Sequence, residues 1–435
     1  MNLSHLLAAR AEAGSPVRAG LIGAGKFGSM FLAQVPSTPG LNVPVIADLA
    51  PDRIGAACRA VGWDAARIAA TRLCDTGEEL IADPDVDVVI EATGNPGAGI
   101  SHALAALHHG KHIIMVNVEA DVLAGPLLAQ KFRAAGLVYS MAYGDQPALT
   151  SELVDWARAA GFTVAAAGKG TKYLPAFHDV TPDDVWSHYG LTAQEAADAG
   201  MNSQMFNSFL DGTKSAIEMA AIANGCDLAA PQDGLLFPPC GTDDLQNFLR
   251  PRALGGMLER DGMVEVVSSL NRDGSDVAND LRWGVYVILK ATNDYAAGCF
   301  RQYGLPVDET GQYAAMYKPF HLIGLELAIS VLSAALRGEP TGQSRAFNAD
   351  AVAIAKRDLA QGEVLDGEGG FTVWGRLMPS ARSLQMNALP IGLAGGVAMR
   401  RAVKRGEVLR QSDVVLDGQD PALRLRREME QAASA

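Results

Sequence analysis

The chain of 435 residues is short of cysteine, of positive charge and of long apolar runs. Its five cysteines, Cys58, Cys74, Cys226, Cys240 and Cys299, are scattered and odd in number, with no C-x-x-C pair. That argues against a disulfide framework or a cysteine zinc site, and fits reduced thiols in a cytoplasm. Lys and Arg total 36 against 49 Asp and Glu, a formal charge of −13. Such a balance disfavours nucleic acid or an anionic membrane as a partner, while leaving room for a local basic site that takes an anionic small molecule. No run of about 18 apolar residues is present to span a membrane. Leu6 to Ala9 form only a short apolar patch, broken by Arg10 and Glu12, which does not read as a signal peptide. The H-E-x-x-H, Walker, kinase and G-x-S-x-G signatures are missing, and so is a Ser-His-Asp order.

What is present begins at Val17. Val17 to Ile22 reads as a buried strand running into Gly23-Ala24-Gly25-Lys26-Phe27-Gly28, a G-x-G-x-x-G followed by an apolar helical pattern. Gly23 permits the tight turn, Gly25 lets the backbone approach a pyrophosphate, and Gly28 lets helix and strand pack closely. The helix N-terminus offers free N–H groups and a positive dipole end to the phosphates. Val43 to Ala47 reads as a second strand ending at Asp48, twenty residues past Gly28, where a carboxylate would meet the adenosine ribose. Further strands are expected at Val86–Ile90, Lys111–Val116 and Leu137–Ala142, with a helix from about Gly99 to His109. This alternation predicts a mostly parallel, doubly wound sheet. Asp48 argues for NAD, because a carboxylate repels a 2′-phosphate; Arg53 could instead clamp that phosphate, or simply be a solvated residue near a helix start. His102, His108, His109 and His112 crowd this region, but His108-His109-Gly110-Lys111 reads as a helix C-terminus rather than a metal site.

From about 150 to 345 the βα rhythm fades. Glu152 to Ala160 reads as a helix, and Phe162 to Ala167 as a strand running into Gly168-Lys169-Gly170-Thr171-Lys172-Tyr173. A lysine between glycines at a strand end points to phosphate binding or proton transfer. Asp211 to Glu218 opens another helix, on which Lys214 and Glu218 share a face; from spacing alone a surface ion pair is the better explanation. Lys318 and His321 sit where the chain enters an apolar helix expected from Leu322 to Leu336. Beyond 346, Lys356–Leu365 resembles Arg400–Leu409 as a weak internal repeat, and Gly-rich stretches support a small β-rich domain. Residues 419–435 read as a surface helix or a frayed tail. The expected architecture is therefore α/β. A doubly wound Rossmann domain (1–150) is followed by a central α+β catalytic domain (151–345) and a small β-rich module with the tail (346–435).

The motif at Gly23–Gly28, with Glu91-Ala92-Thr93-Gly94, Met115–Asp121 and Tyr143-Gly144-Asp145-Gln146-Pro147, resembles the homoserine dehydrogenase-like superfamily. Adding Gly168–Tyr173, Asp211–Ser215 and a C-terminal module that looks like an SAF domain, the chain resembles the 1-deoxy-D-xylulose 5-phosphate reductoisomerase-like proteins of some bacteria. That resemblance implies a dimeric, NADPH-dependent enzyme assisted by a divalent metal. It would rearrange 1-deoxy-D-xylulose 5-phosphate and reduce the product to 2-C-methyl-D-erythritol 4-phosphate, a step of isoprenoid precursor synthesis. On this view Gly23, Gly25, Lys26, Phe27, Gly28, Asp48, Arg53, Thr93 and Gly94 bind the cofactor, NADP(H) or NAD(H). Asn117 and Glu119 flank its nicotinamide. Hard carboxylates suit Mg²⁺ or Mn²⁺, with Asp145 and Glu218 as candidates. Lys169, Lys172, Lys214 and Lys318 would hold the phosphate or steer protons. Two other readings stay open: a dehydrogenase of a sugar acid, hydroxy acid or semialdehyde without isomerisation, and a non-enzymatic dinucleotide sensor.

Overall fold

The computed structural model describes residues 2–434, and the chain divides into two compact units. One comprises Met1–Glu152, His321–Arg345 and Arg424–Ala435; the other comprises Leu153–Phe320 and Ala346–Leu423.

The first unit is built on β1 (Val17–Ile22), β2 (Leu41–Ala47), β3 (Arg72–Cys74), β4 (Val88–Glu91), β5 (His112–Met115) and β6 (Tyr139–Met141). They form one six-stranded sheet in the order β3-β2-β1-β4-β5-β6, and every neighbouring pair is parallel. That is the dinucleotide-binding order, in which the topology reverses between β1 and β4 and leaves a crevice beyond their carboxyl ends. The central strands are buried on both faces and so are continuously apolar, as in Val88-Val89-Ile90. β3 is short and begins Arg72-Leu73, both exposed, which is why periodicity misses it. Two helices matter for the site: α1 (Lys26–Gln34), directly after the glycine turn, and α2 (Val118–Ala134).

The chain returns to this unit twice. His321–Arg345 ends in a helix, Ala328–Arg337, rather than the single helix from Leu322 expected. The interruption is Gly324, whose φ of +77° places it in the left-handed region. A Cβ there would lie 2.6 Å from Met30 Cβ and 2.8 Å from the Phe27 carbonyl oxygen, so this segment lies directly on α1. The last segment is not a tail: in the helix Pro421–Ser434, Arg426 is fully buried and its Nε donates to Glu430 at 2.7 Å.

The second unit carries a mixed sheet of β7 (Thr163–Thr171), β8 (Met263–Ser268), β9 (Val285–Lys290) and β10 (Tyr313–Lys318), in the order β10-β9-β7-β8. β7 runs parallel to β8 and antiparallel to β9. The helix α3 (Thr213–Cys226) is buried along nearly its whole length. Two small antiparallel sheets complete the unit, one pairing β11 (Ala349–Ala355) with β13 (Val373–Pro379), the other β12 (Val364–Asp366) with β14 (Gly395–Ala398). The internal repeat has a geometric counterpart. Leu359 and Val403, at equivalent places in its two copies, exchange backbone hydrogen bonds of 2.8 and 3.0 Å, the mark of a local twofold. Residues 346–423 thus fold within the same compact unit as 153–320, where the sequence suggests a separate module.

Candidate functional site

In the first unit, the three glycines of the turn have separable causes. Gly23 has φ +96°, and a Cβ there would come within 2.7 Å of the Ala92 carbonyl oxygen. A Cβ on Gly28 would lie 2.2 Å from the Gly23 oxygen. Both are glycine because the fold leaves no space. Gly25 differs: its φ is −71°, which any residue adopts, and nothing lies within 4 Å of a Cβ built on it. The protein alone gives no reason for glycine there, whereas a pyrophosphate approaching the N-terminus of α1 does.

Around this turn the expected cofactor residues fall into two groups. Lys26, Arg53, Thr93 and Gly94 are exposed, and Phe27 is half-buried. Asp48 is engaged by the backbone: one carboxylate oxygen accepts from the Ala24 N–H and the other from the Ala50 N–H, both at 2.9 Å. It therefore braces the glycine turn from the end of β2. Asn117 is likewise held. Its Nδ2 donates to the Asn95 carbonyl at 2.8 Å and its Oδ1 accepts from Ala120 N–H at 3.1 Å, tying the loop after β4 to the start of α2. Glu119, two residues on, is half-buried. Glu91, which is fully buried, accepts from the Thr93 backbone and hydroxyl and meets His102 Nδ1 at 3.3 Å. His102 thus serves this loop, in keeping with a structural role. Asp145 accepts from the Gln146 N–H at 2.8 Å where the helix Gln146–Ala159 begins.

In the second unit, Gly168-Lys169-Gly170 is not a loop beyond the strand, as the sequence suggests, but the interior of β7. The reason is crowding. A Cβ on Gly168 would lie 1.9 Å from the Glu265 carbonyl oxygen, and one on Gly170 1.9 Å from that of Leu281. Glycine lets neighbouring backbone approach the strand, and Lys169 is carried inside with it. Lys169 is 6% exposed and Glu218, on α3, 4%; the two form a buried ion pair. The helical pairing of Lys214 with Glu218 suggested by spacing gives way to this longer-range contact. Lys318 belongs to the same arrangement by register. Both Lys169 and Lys318 pair with Val285, so the two lysines occupy one row of the sheet, two strand spacings or roughly 10 Å apart. Lys172, just past β7, donates to the His188 carbonyl at 2.6 Å; burial, then the charge of Arg282, holds its pKa below the usual range.

Three features escape sequence reasoning. Glu265 on β8 is wholly buried and accepts from the Leu236, Phe237 and Val266 N–H groups; burial pushes its carboxyl up to about 7. His178 bridges Tyr173 Oη at 2.9 Å and the Asp211 carbonyl at 2.7 Å, and burial lowers its pKa. Lys356 and Asp211 form a second buried ion pair, at 2.7 Å. No local pattern marks these contacts, since Leu236 and Phe237 for Glu265, Asp211 for His178, and Asp211 for Lys356 all lie far off in sequence. Among the described residues, no group of three or more His, Cys, Asp or Glu side chains converges as a metal site. Asp145 begins a helix, and Glu218 pairs with Lys169.

Two family models match the chain. Residues 23–140 match the NAD-binding domain of homoserine dehydrogenase, and residues 144–327 match the catalytic domain of oxidoreductase DRL. The chain is an NAD(P)-binding oxidoreductase with a DRL catalytic domain. Similarity to curated proteins is partial. The 1-deoxy-D-xylulose 5-phosphate reductoisomerase of Pseudomonas syringae pv. syringae (strain B728a) is 33% identical over 119 residues, 25% of this chain and 30% of its own length. That of Heliobacterium modesticaldum (strain ATCC 51547 / Ice1) is 31% identical over 120 residues, 26% of this chain and 30% of its own. The oxidoreductase thus spans less than a third of these relatives. Among solved structures, a probable dehydrogenase from Thermotoga maritima has 13% identity and a TM-score of 0.39, covering 74% of this chain and 90% of that one. A myo-inositol dehydrogenase from Lactobacillus casei, in complex with NAD(H) and myo-inositol, has 18% identity and a TM-score of 0.28, covering 40% and 50%. No helix among the described residues of this oxidoreductase is long and apolar enough to cross a membrane.

Proposed function

We propose that this oxidoreductase reduces the carbonyl of a small anionic substrate, with Lys169 as the proton donor, and that the substrate is a phosphorylated ketose of the 1-deoxy-D-xylulose 5-phosphate type. The observation that carries the reading is the buried Lys169–Glu218 pair within the segment matched by the DRL catalytic domain. Apolar residues of similar volume at a buried ion pair are often as stabilising or more so, which makes a purely stabilising role a weak explanation for it. A bound reduced nicotinamide supplies the hydride to the carbonyl carbon. As the carbonyl π pair moves onto oxygen, Lys169 passes a proton to that oxygen and is later reprotonated from solvent. Glu218 orients the ammonium and compensates its charge throughout. Lys318, in the same row of the sheet, and Lys172 supply positive charge for the substrate's phosphate.

The partial likeness to 1-deoxy-D-xylulose 5-phosphate reductoisomerases favours that ketose, and with it a rearrangement before reduction to 2-C-methyl-D-erythritol 4-phosphate. The second reading is reduction of such a carbonyl without rearrangement. The test is NADPH and NADH oxidation with 1-deoxy-D-xylulose 5-phosphate, with and without Mg²⁺ or Mn²⁺, and product identification. Formation of the branched tetrol phosphate supports the first reading. Failure of either dinucleotide to be oxidised, in protein that binds it, overturns it.

A further inference from the structure

Both ends of α3, the helix that carries Glu218, are held by the segment that follows residue 345. At its N-terminus, Asp211 accepts from the Thr213 N–H at 2.9 Å through Oδ1 and meets Lys356 Nζ at 2.7 Å through Oδ2. Lys356 is 6% exposed and Asp211 0%, so neither charge has water as an alternative partner. The same ammonium donates to the Val180 carbonyl at 2.9 Å and the Gly370 carbonyl at 2.8 Å. One residue on from Trp374, the Gly375 N–H donates to Thr213 Oγ1 at 2.8 Å. At the C-terminus of α3, Asn224 Oδ1 accepts from the Asn348 and Ala349 N–H groups at 2.8 and 2.9 Å, and its Nδ2 donates to the Ala349 carbonyl at 3.1 Å.

A third connection runs to β7. The Trp374 ring stacks on His178 with centroids 3.8 Å apart and planes 22° apart. His178 joins the Asp211 carbonyl, before α3, to the Tyr173 hydroxyl, just after β7. One short chain of contacts therefore spans the two elements that bring Glu218 and Lys169 together.

We infer that the segment Ala346–Leu423 is a positioning part of the catalytic unit, with Lys356 as its positioning residue: by holding α3 at both ends it sets where Glu218 meets Lys169. This rests on the reading of Lys169–Glu218 as the proton-handling pair. Helix packing alone would tolerate small shifts of α3 along its axis. A proton donor does not, since misplacement by about 1 Å can cost a hundredfold in rate.

The experiment uses the full chain and Lys356→Met. Turnover of 1-deoxy-D-xylulose 5-phosphate, NADPH affinity by fluorescence, and amide hydrogen exchange over residues 211–218 are measured together. The expected result is a kcat at least tenfold lower with NADPH affinity within twofold of wild type, and at least tenfold faster exchange confined to the first turns of α3. Lys169→Ala, by contrast, lowers kcat, and the exchange it speeds is spread over the unit rather than confined to the first turns of α3. Trp374→Leu serves as a second variant if Lys356→Met is insoluble, and Trp374→Phe, which keeps a ring against His178, recovers most of what Trp374→Leu loses. Wild-type kcat in Lys356→Met and Trp374→Leu overturns the inference and leaves the proposed function standing. If the wild-type protein does not turn over the ketose phosphate, the proposed substrate falls and exchange decides alone: unchanged protection of residues 211–218 sinks the positioning role, and a local loss supports it.

Discussion

The two glycine motifs of this chain invite the same reading and have different causes. In Gly23–Gly28, one glycine faces open space and the other two are walled in by the backbone. In Gly168-Lys169-Gly170, both glycines are walled in, and the residue between them is buried. The first motif leaves room at one point for something outside the protein. The second leaves no room at all, and uses the missing Cβ atoms to draw a charged side chain into the sheet. A glycine therefore signals a ligand only where the fold itself does not require it.

The comparison breaks most readily at Lys169. Lys169→Ala leaves Glu218 buried without its counter-charge, for an expected loss of about 3–5 kcal/mol of stability. Turnover should fall by about a hundredfold or more, the usual loss when a transition-state contact is removed. Urea denaturation and steady-state rates measure the two. The double variant Lys169→Met/Glu218→Gln should regain stability and stay inactive; recovered activity would remove the pair from the chemistry. Next comes Gly170→Ala, where a methyl group must displace the Leu281 backbone. Overpacking of this kind costs about 1–3 kcal/mol or more, read as a lower urea midpoint. A midpoint equal to wild type would mean that β7 is not crowded as described.

Gly25→Val sharpens the other side. Stability should stay within about 0.5 kcal/mol of wild type, because the new side chain enters open space, while NADPH and NADH binding by fluorescence is lost. Retained affinity would deny the glycine its ligand. The smallest effect concerns Glu265, whose backbone oxygen crowds Gly168. Burial raises its carboxyl from 4.5 to about 7. A carboxyl raised in the folded state favours folding while protonated, so this contribution is complete below about pH 4.5 and fades as pH rises through about 7. Glu265→Gln should flatten the stability profile across that window, and an unchanged slope would assign the dependence to another group.

The Rossmann half was largely legible because its strands are apolar and separated by helical patterns of ordinary length. β1, β2, β4, β5 and β6 fall within a few residues of expectation. The catalytic half was less so. Gly168-Lys169-Gly170 looks like a turn because glycine and lysine carry weak strand signals, while the force that keeps them extended is the backbone of β8 and of Leu281. Glu218 was visible as a candidate, but its partner lies on another element. Lys356, His178 and Trp374 carried no signal, because their roles come from contacts that no spacing reveals. Asp48 and Asn117 were placed correctly at strand ends, and the structure adds that both also brace the turns beside them.

The route of the chain has a consequence for biosynthesis. It passes from one compact unit to the other after Glu152, Phe320, Arg345 and Leu423. On a ribosome that emits residues from the N-terminus, the nucleotide-binding half is begun first and finished last. Its apolar core lacks Leu327, Val331, Leu332 and Ala334 until the first segment of the second unit has been made, and its last helix follows only after the second segment. The fully buried Arg426 arrives only after both segments of the second unit. Nascent chains stalled before Leu423 should therefore be engaged by chaperones more strongly than chains that carry the helix Pro421–Ser434.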